Sequence, residues 1–150
     1  MHPFHLPYRE FRRLSRRARD AQRANQFEVV GLLAVSPSTP HILRLVFLRN
    51  RASEPCQWEL RAEDIRKCRQ TLKRNGFRSI GLFHSHPLTY GTLGPRDRRN
   101  TPSGWRHLVY DVCALDPRLY MVRRRNGRRS VVEIPLTVER SKSGTSARGV

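Results

Sequence analysis

The chain has 150 residues, 37% of them apolar, and its 30 Lys and Arg outweigh 12 Asp and Glu to give a formal charge of +18. That length suits one domain with its own hydrophobic core, without disulfide or metal staples. No run approaches the ~18 consecutive apolar residues of a membrane span, the first residues lack a secretory signal's apolar core, and three scattered cysteines suggest no disulfide framework, so a cytoplasmic protein with no membrane partner is expected.

Tyr8 to Arg23 carries Tyr8, Phe11, Leu14 or Ser15, Ala18 and Ala21 at helical spacing with arginines between them. This predicts an amphipathic helix whose narrow stripe suits packing on its own sheet better than lying on a membrane. Phe27–Val35 and His41–Leu48 read as strands joined by the turn material SPSTP. The stretch RAEDIRKCRQTLKRNG is a second helix, with Ala62, Ile65, Cys68 or Arg69, and Leu72 on one face and Gly76 as its stop. FRSIGLFH is a buried strand. Beyond a Pro/Gly-rich loop, WRHLVYDVCAL, RLYMVRRR and RRSVVEIPLTV give three more strands, the last two joined at Asn126-Gly127, a strong hairpin signal. Cys68 and Cys113 read as small buried hydrophobes. The tail from Arg140, RSKSGTSARGV, is expected to be disordered, which leaves residues 1–139 as the domain and 140–150 as a basic tail. The order predicts an α/β (mixed α+β) domain, helices packed against one curved sheet.

The chemistry concentrates in GLFHSHPLTYGTLGPRD, residues 81–97. His84 and His86, two apart at the end of a strand, point the same way. HxH alone is a weak signal, but Asp97 follows after a loop long enough to fold back, and Glu28 stands early in an apolar run, where an acid needs a partner or a purpose. His84, His86 and Asp97 would offer zinc two nitrogens and an oxygen, leaving the fourth tetrahedral position to water, as catalytic sites do. Glu28 would then take the water's proton and pass it to a leaving amine. That is amide hydrolysis without a covalent intermediate.

The pattern resembles the JAMM (MPN+, JAB-domain) zinc metalloproteases, whose signature is a glutamate on the first strand followed by HxHPx6SxxD. The chain has Glu28 in EVVGLL, His84-Ser85-His86-Pro87, and Asp97 at the expected distance. A leading helix, FLRNRAS around Asn50, WEL at Trp58 to Leu60, a helix and GLFHSHP follow the family's order, so the likeness runs over roughly Tyr8 to Val138. It implies a JAB/MPN-type curved mixed β-sheet flanked by helices, one Zn2+ held by His84, His86 and Asp97, and Glu28 as general base. It also implies a deubiquitinase-like isopeptidase acting at the glycine-rich tail of a ubiquitin-like or sulfur-carrier protein. The short, insertion-poor chain resembles the stand-alone prokaryotic members.

One position departs: the family's serine before the aspartate falls at Gly94. Losing an oxyanion-stabilising donor costs ~10²–10³ in rate. Three outcomes stay open. The Gly94 N–H or a hydroxyl of Thr92, Thr89 or Tyr90 replaces the serine; the enzyme is slow; or the site binds metal without turnover and the protein is a protein-binding scaffold. Ser85 is a further candidate for substrate positioning. His107 could point into the site but reads better as an ordinary strand residue, His41 as solvent-facing, Asp111 and Asp116 as capping or solvated acids, and Trp58 and Trp105 as core or site wall. RDRRN after the loop either orients an acidic substrate or is a solvated turn. The net charge attracts polyanions whatever their sequence; it fits an acidic protein, a nucleic acid or a merely soluble surface, and names no function.

Overall fold

A computed structural model describes residues 2–25, 27–88 and 91–142. Thr89, Tyr90 and residues 143–150 of the expected tail lie outside the described residues. The elements are β1 (Phe4–Leu6), α1 (Tyr8–Ala24), β2 (Val30–Ser36), β3 (Thr39–Leu48), α2 (Ala62–Arg74), β4 (Arg78–His86), α3 (Pro95–Asn100), β5 (Arg106–Asp111), β6 (Asp116–Arg125), β7 (Arg128–Ile134) and β8 (Leu136–Val138). The strands form a curved sheet in the order β7-β6-β5-β4-β2-β3-β1-β8. It is mixed: β4 and β5 run parallel, as do β1 with β3 and β8, and the other pairs are antiparallel.

Alternation along the strands assigns the two faces. Leu33, Val35 and Phe83 join Leu14 and Ala18 of α1 in the larger cluster. Val30, Leu32 and Leu82 point the other way and meet Trp58 with Ile65, Cys68 and Leu72 of α2. The register slips by one residue between Leu33 and Ala34 of β2, leaving Ile80 of β4 without an opposite number. Such a bulge turns Ile80 to the α1 face, although it is two residues from Leu82. Gly81 marks the closest approach of β4 and β5: a Cβ there would lie 2.0 Å from the Arg106 carbonyl oxygen. The tight parallel pair it permits carries the histidines.

The expected α/β architecture is present, with local differences. Cys113, expected in a strand and buried, is exposed. The strand ends at Asp111, where Oδ1 accepts the Ala114 N–H at 3.0 Å and turns the chain. The predicted strand over 128–138 is two: Pro135 lacks the N–H a continuous ladder needs, and Leu136–Val138 crosses to pair with β1. The strand expected from Phe27 begins at Val30, so Glu28 precedes it. Arg140, where the tail was expected to begin, donates to the Leu115 carbonyl at 2.7 Å. Among the described residues no helix is long and apolar enough to cross a membrane.

Candidate metal centre

Register decides which side chains meet. Val30 of β2 stands opposite His84 of β4, so Glu28, two residues earlier, comes level with His86. Leu82, His84 and His86 share a face of β4, and Leu82 stands beside His107 of β5, which puts His107 on that face as well. The loop after β4 returns through α3, which carries Asp97 as the third residue of its first turn.

The ligating atoms converge. His84 Nε2 and His86 Nε2 lie 2.7 Å apart, and Asp97 Oδ2 is 3.4 and 3.5 Å from them. Donor atoms of Glu28, His84 and His86 all fall within 4.8 Å of one another, as in a group able to hold a metal ion. All four residues are buried. The carboxylate of Asp97 is aimed from both sides. Oδ1 accepts Trp58 Nε1–H at 2.8 Å, and Oδ2 accepts the Gly94 N–H at 3.0 Å, closing the first turn of α3. Burial opposes its ionisation, but the facing imidazoles of His84 and His86 and the Trp58 N–H outweigh that and hold it well below the usual carboxylate range.

Glu28 behaves oppositely. Burial raises its carboxyl from 4.5 to about 7, against the pull of His86 and Arg96. Its Oε2 is buried with no hydrogen-bond partner among the described residues. An orphaned buried acceptor normally carries a desolvation penalty of ~1–3 kcal/mol. Two imidazole nitrogens and a carboxylate held ionised form a nitrogen–oxygen donor set suited to a zinc-like cation, with the unpartnered Glu28 oxygen beside it. The residues fit the metal.

His107 takes the less favoured of its two readings: it is no ordinary strand residue but stands against the cluster. It is fully buried, with Nε2 2.6 Å from His84 Nδ1 and Nδ1 2.6 Å from Thr101 Oγ1. The signal was a polar side chain inside the apolar run HLVY, the same criterion that singled out Glu28. Trp58 forms a wall, its ring 5.6 Å from that of His84 and 5.7 Å from that of His107. The other candidates take different places. Ser85 alternates to the opposite side of β4 and its Oγ accepts the Val29 N–H at 2.9 Å. Thr92 is exposed, and the Gly94 N–H is already engaged by Asp97.

No family model matches the chain, and no curated protein does. Solved structures are similar in fold. A Desulfitobacterium hafniense protein is 18% identical with a TM-score of 0.74, over 92% of this chain and 94% of that one. A JAB1/MPN domain protein of Archaeoglobus fulgidus is 18% identical with a TM-score of 0.54, over 93% and 100%. A structure described as JAMM, a metalloprotease-like zinc site in the proteasome and signalosome, is 16% identical with a TM-score of 0.51, over 92% and 99%. At these identities the likeness is one of fold.

Proposed function

We propose that a chain with this JAB/MPN-type fold is a zinc-dependent peptidase or isopeptidase, with His84, His86 and Asp97 holding the metal and Glu28 as general base. The observation that carries the reading is the convergence of His84 Nε2, His86 Nε2 and Asp97 Oδ2 beside the unpartnered Glu28 Oε2. Zinc bound there polarises a carbonyl and acidifies water. The chain supplies the remainder. Trp58 and Gly94 fix the Asp97 carboxylate, and Glu28, a carboxyl that titrates near neutrality, is suited to accept a proton from water and return it to the leaving amine. Water's oxygen goes to the new acid as the C–N bond breaks.

The substrate proposed is the extended, glycine-rich tail of a ubiquitin-like or sulfur-carrier protein, whose small residues allow a scissile bond to approach a buried site. Exposed Arg96, Arg98 and Arg99 on α3 beside Asp97 favour an acidic body on that substrate. The cytoplasm suits three free thiols. Elemental mass spectrometry of the chelator-rinsed protein tests the centre: about one zinc per chain is expected, sharply reduced in Asp97→Ala. Zinc absent from both proteins would remove the reading. A protein-binding scaffold is the second reading, favoured by Gly94, whose only donor is occupied by Asp97.

A further inference from the structure

A chain of hydrogen bonds behind the histidines has only one consistent direction. Thr101 Oγ1 lies 2.7 Å from the Asp97 carbonyl oxygen, which can only accept, so the single hydroxyl proton is committed there. Towards His107 Nδ1, at 2.6 Å, that oxygen can then only accept, and Nδ1 carries a proton. In a neutral imidazole the other nitrogen is a lone pair. His107 Nε2 therefore accepts, and His84 Nδ1, 2.6 Å away, must be the donor. That leaves the lone pair of His84 on Nε2, the nitrogen facing His86 and Asp97. Both rings are wholly buried, so water is not at hand to reverse the order. Both nitrogens of His107 are spent on Thr101 and His84, neither of them a carboxylate, and an imidazolium so buried without an anionic partner would be costly.

We propose that His107 is a positioning residue: with Thr101 it locks His84 in the Nδ1–H tautomer and so presents Nε2 for metal binding. The proposal rests on the metal reading given above. Its geometry is a brace behind the two ligands. Asp97 is joined through its backbone carbonyl to Thr101, through Thr101 to His107 and through His107 to His84, whose bare Nε2 then faces the Asp97 Oδ2 at 3.4 Å across the space a metal would fill. The brace ties α3 to two parallel strands, so one ligand's backbone sets the protonation pattern of another ligand's ring. Partners of this kind fix ring orientation and basicity, and their loss costs about 10–100-fold in metal affinity.

Two measurements test it. Long-range proton–nitrogen correlation spectra of the chelator-treated wild type report the tautomer directly; His84 is expected protonated at Nδ1 and bare at Nε2. Zinc competition against a chromophoric chelator then compares variants. His107→Leu removes the acceptor and Thr101→Val removes the hydroxyl at nearly constant shape, and each is expected to weaken zinc about 10–100-fold. His107→Gln, whose amide oxygen can accept from His84 Nδ1, is expected to retain affinity within about threefold, which a purely space-filling role for His107 would not explain. A proton on His84 Nε2, or wild-type affinity in both His107→Leu and Thr101→Val, overturns the proposal. A wild type that takes up no zinc overturns the metal reading instead, and the spectra of the metal-free protein still decide the tautomer.

Discussion

Burial holds the Glu28 carboxyl at about 7, above the 4.5 of an unfolded chain, so between those values the folded protein keeps a proton that the unfolded chain has released. Stability of the metal-free protein must therefore fall as pH rises through this window. The contribution is undiminished below 4.5 and lost above about 7, at a cost of up to about 3 kcal/mol. Glu28→Gln removes the titration. Urea melts of chelator-treated proteins should show the variant matching wild type near pH 4 and exceeding it above pH 7. Identical pH slopes in the two would mean that the buried carboxyl carries no such penalty. That an acid belonged here was legible from EVVGLL, because a carboxyl beside a run of large apolar residues has few bland explanations. His107 carried the same signal, a polar group in an apolar run, but its partner was not legible. Its partner on β4 lies 23 residues earlier, and their meeting depends on the parallel register that sets Leu82 beside His107.

At the N-terminus of α3 the geometry allows the missing hydroxyl to be restored. Gly94 has φ −72, within reach of any residue, and an added Cβ would stand 3.5 Å from Asp97 Oδ2, an ordinary contact. Gly94→Ser should fold, keep its zinc and gain a donor that the occupied Gly94 N–H does not provide. If the proposed hydrolysis is correct, cleavage of a ubiquitin-like tail should accelerate ~10²–10³-fold, measured as kcat at equal zinc content. Equal rates would show that the natural protein already has another donor. Activity confined to the serine variant would make the natural protein a scaffold. α3 itself escaped the sequence because PRDRRN has no apolar stripe; its role is to aim Asp97, not to bury a face. β1 escaped as three residues between two prolines, a length at which alternation carries no weight. Turns with local chemistry were plain. Gly76 ends α2 at φ 78, and Asn126 and Gly127 take the paired positive φ, 50 and 74, of a tight hairpin.

Over the whole molecule the excess charge is distributed unevenly with respect to the site. The Arg129 guanidinium donates to the carbonyls of Arg98, Arg99 and Thr101, fastening the β6–β7 hairpin to the end of α3. The fastened α3 and hairpin form a basic flank carrying six exposed arginines, Arg96, Arg98, Arg99, Arg124, Arg125 and Arg128, and among the described residues none of these six forms an ion pair with a carboxylate. Such a flank would attract any polyanion, with an attraction screened beyond about 10 Å at 0.1 M salt. Contacts to phosphates position a protein without reading bases, so attraction by charge alone carries no sequence preference. Duplex DNAs of unrelated sequence are therefore expected to bind alike. If six arginines each displace one counterion, affinity should fall about 10³-fold between 50 and 200 mM salt. Arg124→Ala, Arg125→Ala and Arg128→Ala together should roughly halve the slope of log affinity against log salt, with zinc content unaffected, since all three side chains are exposed and outside the cluster. Fluorescence anisotropy over a salt series reads both. Binding that survived several hundred millimolar salt, or that ranked one DNA sequence well above another, would require contacts of another kind and would make nucleic acid a specific ligand of this flank.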